Sequence, residues 1–204
     1  MSLSTLILWR HGETEYNIAG RMQGHIDSEL TDAGRNQARV GAAALRRFAP
    51  DTIIASDLRR AADTANVLGE QTGVPVGFDK RLRETHLGTW QGCTPAEIER
   101  DSPADRERWR VDPTSAPPGG ESRVDVAERA VEVVDDLLRQ QEQPPSTALL
   151  AAHGGVITAL TARLAGFELD SWAALGGIDN CHWVQLTRTA GRWRLRVYNA
   201  GIAE

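Results

Sequence analysis

The chain has 204 residues, with 23 lysines and arginines against 28 aspartates and glutamates and a formal charge of −5. That length supports one α/β domain with a sizeable core and excludes two full domains joined by linkers. The mild acidity argues against a nucleic-acid or anionic-membrane partner, which requires a basic face, yet leaves room for a local basic pocket.

Leu3–Trp9 is short and apolar, the pattern of a buried central strand, and it runs into Arg10-His11-Gly12-Glu13. From Glu13 to Glu29 the chain carries Asn17, Gly20, Gly24 and Asp27 without periodicity, which predicts a long functional loop. Apolar residues at three- and four-residue spacing, Ala38 and Leu45 among them, predict a helix over Thr31–Phe48 that ends before Pro50. Asp51–Ala55 reads as a second strand. A helix over Leu58–Gly69 follows, capped by Ser56 or Asp57 and stopped by Gly69 or Gly73. Val74–Phe78 reads as a third strand. Arg81 to Gly120 is irregular, with short helices expected at Pro95–Arg100 and Asp105–Val111 and a Pro/Gly loop at Pro113–Gly120. So long a stretch exceeds a plain connector, and residues of about 89–120 are read as a lid-like insertion.

Ser122–Gln141 is predicted as a helix capped by Ser122 with Asp125, with an apolar stripe of Val124, Ala127, Val131, Val134 and Leu138. Ala148–Ala152 is a strand ending at His153, and Gly155–Leu164 the helix after it. Cys181–Thr187 and Arg192–Tyr198 form a closing hairpin around Ala190-Gly191. There Trp183 and Trp193 admit either a homodimer contact or packing along a sheet edge. Strands alternating with helices predict an α/β three-layer sandwich, a mostly parallel central sheet flanked by helices, as one domain over residues 1–204. The two cysteines, Cys93 and Cys181, make no C-x-x-C unit, so free thiols in a cytoplasmic setting are expected. No signal peptide and no membrane span are expected, because the first apolar run is short, lacks a basic flank and ends at Arg10.

The chemistry lies at strand ends, where open α/β sheets place their ligands. A lone histidine before a glycine fits a hydrogen-bonded surface residue equally well. His11, however, has matching pieces elsewhere: Arg60, Glu84 in Leu82-Arg83-Glu84-Thr85, and His153 before Gly154-Gly155. As a nucleophile His11 needs a neutral ring with one nitrogen free and the other donating to a set acceptor. Arg10 beside it can clamp phosphate oxygens with a planar fork. Arg59 competes with Arg60, and the S-x-L-x-R-A-x-x-T-A pattern from Ser56 to Ala65 selects Arg60. Glu84 reads either as a surface carboxylate paired with Arg81 or Arg83, or as an acid that protonates a leaving oxygen and then deprotonates water. The Gly154-Gly155 pair would let backbone N–H groups approach an anion at a helix start. No residues near His153 have metal-ligand spacing, so no metal or other cofactor is expected. His25, His86 and His182 read as structural or supporting. Two histidines, two arginines and a carboxylic acid suit phosphoryl transfer through a phosphohistidine.

Taken in order, these motifs resemble the histidine phosphatase superfamily, which includes the cofactor-dependent phosphoglycerate mutases, and the likeness runs from Leu8 to Asn199. The resemblance implies a phosphoglycerate mutase-like fold with His11 as the phosphorylated nucleophile. It puts Arg10, Arg60 and His153 in the phosphate pocket, Glu84 as proton donor, and Asn17 and Gln23 on the pocket wall. Mutases usually carry Glu-Arg-His-Tyr-Gly where this chain has Glu84-Thr85-His86-Leu87-Gly88, and they are usually longer; both departures favour a phosphatase. Arg21-Met22-Gln23-Gly24, the segment from Gly119 to Ala127 and Leu175-Gly176-Gly177 are similar to the actinobacterial glucosyl-3-phosphoglycerate phosphatases. The implied substrate is a small acidic phosphate ester, with Arg21 or an arginine of the lid reaching its carboxylate. Phosphoglycerate mutase, α-ribazole phosphatase and a non-catalytic phospho-ligand binder are the alternatives.

Overall fold

A computed structural model describes residues 3–140 and 145–202. Among them the elements run β1 (Thr5–Arg10), α1 (Glu15–Ile18), α2 (Asp32–Leu45), β2 (Thr52–Ala55), α3 (Arg59–Thr72) and β3 (Val76–Phe78). Then come α4 (Pro95–Asp101), α5 (Pro103–Val111), α6 (Arg123–Arg139), β4 (Thr147–Ala152), α7 (Gly154–Ala165), β5 (Trp183–Thr189) and β6 (Arg192–Ala200). The six strands form one sheet in the order β3-β2-β4-β1-β5-β6. β3, β2, β4 and β1 are mutually parallel, while β5 and β6 add antiparallel at one edge.

Strand alternation builds two cores. Leu6 and Leu8 of β1 and Ala148, Leu150 and Ala152 of β4 face α6 and α7 with Val126, Ala130, Val134, Ile157 and Leu160. Ile7, Trp9, Leu149 and Ala151 face α2 and α3 with Ala38, Leu45, Ala65 and Leu68. The helices after β1 and β4 therefore cover opposite faces of adjacent strands, and the crevice beyond the carboxyl ends of those two strands is a topological switch point.

Several local expectations shift. Ser122 and Asp125 form the predicted capping box, but the buried stripe of α6 is Val126, Ala127, Ala130, Val133, Val134 and Leu137. The buried face is centred one residue earlier than expected, so Val124, Val131 and Leu138 only border the core. Its predicted end at Gln141 lies outside the described residues. Neither Ser56 nor Asp57 caps α3. Asp57 pairs with Arg83 at 2.7 Å, and the Arg59 N–H donates instead to Asp27 Oδ1 at 2.8 Å, from a loop distant in sequence. At the far end Gly73 stops α3 with φ of 75°, a left-handed turn that suits glycine. The loop after β1 contains α1, held by a Thr14–Asn17 capping box. Trp183 is 2 % exposed and Trp193, partly buried, packs against the core, as packing along a sheet edge requires.

Candidate active site

β1 delivers Arg10 and His11, and β4 delivers His153. The strands pair Arg10 with Ala152, and the His11 N–H donates to the Ala152 carbonyl at 3.1 Å. Gly12 follows because α2 presses Gly34 against it; a β-carbon there would collide with the Gly34 carbonyl. The tight backbone turns the Gly12 carbonyl back onto the ring, 2.7 Å from His11 Nδ1. A carbonyl only accepts, so the proton sits on Nδ1 and Nε2 keeps a lone pair. Burial, then the Arg10 and Arg60 cations, hold the His11 pKa well below its ordinary value, so the ring stays neutral.

A cavity of about 210 Å³ opens onto His11 and is lined by Arg10, Asn17, Arg21, Gln23, Arg60 and Glu84, among others. Arg10 is held through Nη1 by the Ile178 carbonyl, and its buried Nε–H has no acceptor among the described residues. Arg60 is fully buried, donating to the carbonyls of Ile26 (2.7 Å) and Gly24 (2.9 Å). Burial lowers its pKa to about 10, which leaves it cationic at neutral pH. Asn17 Oδ1 is occupied by donors from Thr14 and Asn180, which leaves the Asn17 amide N–H groups for a ligand. Gln23 Oε1 accepts from Ser28, so its amide nitrogen is likewise available. Arg21 also lines the cavity but is already bound to the Gly92 carbonyl at 2.7 Å and Glu97 at 3.1 Å.

Glu84 closes the opposite wall. One oxygen accepts from the Thr85 N–H at 2.8 Å, the other from the Gly155 N–H at 3.1 Å in the first turn of α7. Glu84 is not paired with Arg81 or Arg83, which bind Asp79 and Asp57. Gly155 is required by proximity: a β-carbon would meet Thr85 Oγ1 at 2.8 Å and collide with the Glu84 carboxylate. The Gly155 N–H is therefore spent on Glu84 and not on an incoming anion. Gly154 lines an adjoining cavity of about 530 Å³ that shares Arg10, Thr85 and Trp109 with the first.

His153 stands one layer behind its expected place. Its ring is fully buried, 5.1 Å from the His11 ring and edge-on to it. Arg60 Nε–H donates to Nδ1 at 3.2 Å, so Nε2 carries the proton and meets Ser56 Oγ at 2.9 Å. With both nitrogens engaged it holds Arg60 rather than facing the cavity. Burial, then Arg60, His11 and Arg10, keep it neutral as well.

The sequence reading missed the support beneath Glu84. Arg129 of α6 forks onto Glu121 at 2.8 and 2.9 Å and donates to the Glu84 carbonyl at 2.9 Å; His25 Nε2–H donates to the same carbonyl at 2.7 Å. Arg129 sits three residues after Val126 and four before Val133, beside the buried stripe, and that spacing was the available signal. Thr64 was missed too; its Oγ1 accepts from the Gly12 N–H at 3.1 Å and donates to the Arg60 carbonyl at 2.7 Å, tying β1 to α3. No group of three or more His, Cys, Asp or Glu among the described residues is placed to hold a metal.

Residues 6–201 match the family described as the histidine phosphatase superfamily, branch 1. The glucosyl-3-phosphoglycerate phosphatase of Mycolicibacterium vanbaalenii is 49 % identical, covering 98 % of this chain and 96 % of its own. That of Mycobacterium tuberculosis is 47 % identical over the same shares. The structure of a mycobacterial glucosyl-3-phosphoglycerate phosphatase complexed with VO3 superposes with a TM-score of 0.93 at 50 % identity, covering 97 % of this chain and all of that one. The chain belongs to the histidine phosphatase superfamily.

Proposed function

We propose that this protein is a metal-independent phosphomonoesterase acting through phosphorylated His11 on a small acidic ester of the glucosyl-3-phosphoglycerate kind. One observation carries the reading: a buried neutral histidine with Nε2 free, facing a cavity walled by two cationic arginines and a carboxyl group. In the first step Nε2 attacks phosphorus, the ester P–O bond breaks, and Glu84 gives its proton to the departing oxygen. Arg10 and Arg60, with the Asn17 and Gln23 amides, balance charge on the phosphoryl oxygens, the task a metal performs elsewhere. In the second step Glu84 takes a proton from water, water attacks phosphorus, the P–N bond breaks, and His11 returns to its Nδ1–H form. The named relatives and their near-complete coverage support the ester class. Two free cysteines fit a reducing cytoplasm, and no helix among the described residues is long and apolar enough to cross a membrane.

The test is rapid quenching with a 32P-labelled ester, then turnover on glucosyl-3-phosphoglycerate, 3-phosphoglycerate, α-ribazole phosphate and a plain sugar phosphate. The expected result is an acid-labile, alkali-stable label on His11, absent from His11→Ala, with turnover unaffected by chelators and highest on the glucosyl ester. Turnover without label, or rescue of a chelated enzyme by one added ion, removes the mechanism. Isomerisation of phosphoglycerates in place of phosphate release makes the protein a mutase. A preference for the ribazole ester removes the substrate reading alone.

A further inference from the structure

The segments in and beside the 89–120 insertion carry more arginine than one substrate needs, and the structure sorts them. Arg81 and Arg83 are committed to Asp79 and Asp57, and Arg21 to Glu97. Arg108 lies 3.8 Å from Asp105, and Arg110 3.4 Å from Glu99. Arg106 and Arg123 have no carboxylate partner among the described residues. Their guanidinium carbons lie 5.0 and 4.6 Å from the ring centre of Trp109, a cation–π arrangement. Nε and Nη1 of Arg106 and Nε1 of Trp109 are buried without an acceptor among the described residues. Buried donors are nearly always satisfied, and a cluster of three unsatisfied ones marks a place where an acceptor belongs. Burial first, then the Arg110 cation, lowers the pKa of Arg106 against an opposing pull from Glu99; burial first, then the Arg106 cation, lowers that of Arg123.

The cluster's position says which anion fits. Trp109 lines the phosphate cavity and the adjoining one, and Arg123 lines the adjoining one. An ester whose phosphoryl group sits on His11 would thus extend its alcohol portion past Trp109 towards Arg123. Arg123 is only half-buried and makes one long bond, 3.3 Å, to the Arg110 carbonyl, so most of its fork is uncommitted. A planar carboxylate presents the matching pair of acceptors.

We propose that Arg123, held on Trp109 beside Arg106, receives the carboxylate of the substrate and makes the adjoining cavity selective for acid-bearing alcohols. This rests on the phosphomonoesterase reading above and names the residue that sets its substrate class. The uncharged remainder, a sugar in the ester proposed, lies in the rest of the cavity against Trp172 and Thr158.

The experiment compares 3-phosphoglycerate with glycerol 3-phosphate, which carries a hydroxymethyl group where the former carries the carboxylate. Wild-type enzyme favours the acid. Arg123→Ala and Arg123→Gln, the latter keeping the stem without the charge, lose about ten- to a hundredfold in kcat/KM on 3-phosphoglycerate, mainly through KM. Both change less than about threefold on glycerol 3-phosphate, since a neutral alcohol forms no ion pair with the guanidinium and offers one acceptor in place of two. Inorganic phosphate inhibits wild type and variants equally, which shows the phosphate pocket intact. Arg106→Ala shifts selectivity the same way, by less. Equal losses on both esters, no loss on 3-phosphoglycerate, or a wild type indifferent to the carboxylate overturns the assignment while phosphoryl transfer through His11 stands. A missing label on His11 overturns the functional reading itself.

Discussion

At the scale of single residues, Glu84 and the buried histidines carry the sharpest expectations. Glu84 has its orientation set by the Thr85 and Gly155 N–H groups, so its substitution tests proton transfer with little effect on the neighbouring scaffold. Glu84→Gln should slow hydrolysis of an alkyl ester by about 10²–10⁴. An aryl ester, whose leaving oxygen needs little protonation, should lose less in the first step. Burst kinetics on the two ester types separate these outcomes, and an equal first-step loss on both would leave Glu84 only a positioning part. The histidines predict a pH dependence of stability. His11 and His153 have pKa values held well below 6.5 by burial, with half-buried His25 lowered as well. Below about pH 6.5 the unfolded chain binds protons that the folded chain refuses. Their full contribution is thus present above pH 6.5 and is lost as pH falls towards the folded values, at up to about 1.4 kcal/mol per pH unit for each fully buried ring. The carboxylates with lowered values, Asp57, Asp79 and Glu121, titrate further down, while Asp63, raised by burial, gains stability on acidification and only blunts the histidine slope between about pH 4.5 and 6.5. Urea midpoints across that window should fall with acidification in wild type and less steeply in His153→Gln; parallel slopes would contradict the assignment.

At the scale of elements, Asp27 joins a loop to the start of α3. It accepts from the Arg59 N–H, while the carbonyls of Gly24 and Ile26 in the same loop hold Arg60. Asp27→Ala should cost about 0.5–2 kcal/mol, the range for a lost helix cap. It should also raise KM, because the strap that positions Arg60 slackens. Denaturation and steady-state kinetics on one preparation check both, and a stability loss with unchanged KM would confine Asp27 to capping. This element also shows where sequence reading stops. Local rules place the cap among the residues just before α3, because most caps are near in sequence; here the acceptor comes from the loop after α1. The strands and most helices were legible because burial imposes periods of two and 3.6 on local sequence. The phase of α6 was not, because Val124, Val131 and Leu138 are as apolar as the residues that are buried. That His11, Arg60 and Glu84 come together was legible from motifs, and they line one cavity. The retreat of His153 behind Arg60 and the Arg129–Glu121 brace under Glu84 were not, since both depend on pairings between distant segments.

At the scale of the whole molecule, the seam between β1 and β4 decides when a phosphate pocket exists at all. The strands are far apart in sequence, Thr5 pairing with Thr147, and meet at the centre of the sheet, where both contribute to both cores. No hairpin or helix pair contains a working fraction of the pocket, so a chain that loses the seam loses anion affinity completely. A ligand that binds only the folded state raises stability by about 2.7 kcal/mol at a hundredfold excess over its Kd. For a chain of this size inorganic phosphate at that excess should raise Tm by roughly 5–10 °C. Phosphate should also slow amide exchange in β1, β4 and the helices on both faces together. Calorimetry with and without phosphate measures the first effect, and exchange mass spectrometry the second. Protection confined to the loops around the cavity would show that the seam opens independently of them. The pocket thus reports on the whole tertiary structure, and accumulation of its own product would protect the enzyme from unfolding while slowing its turnover.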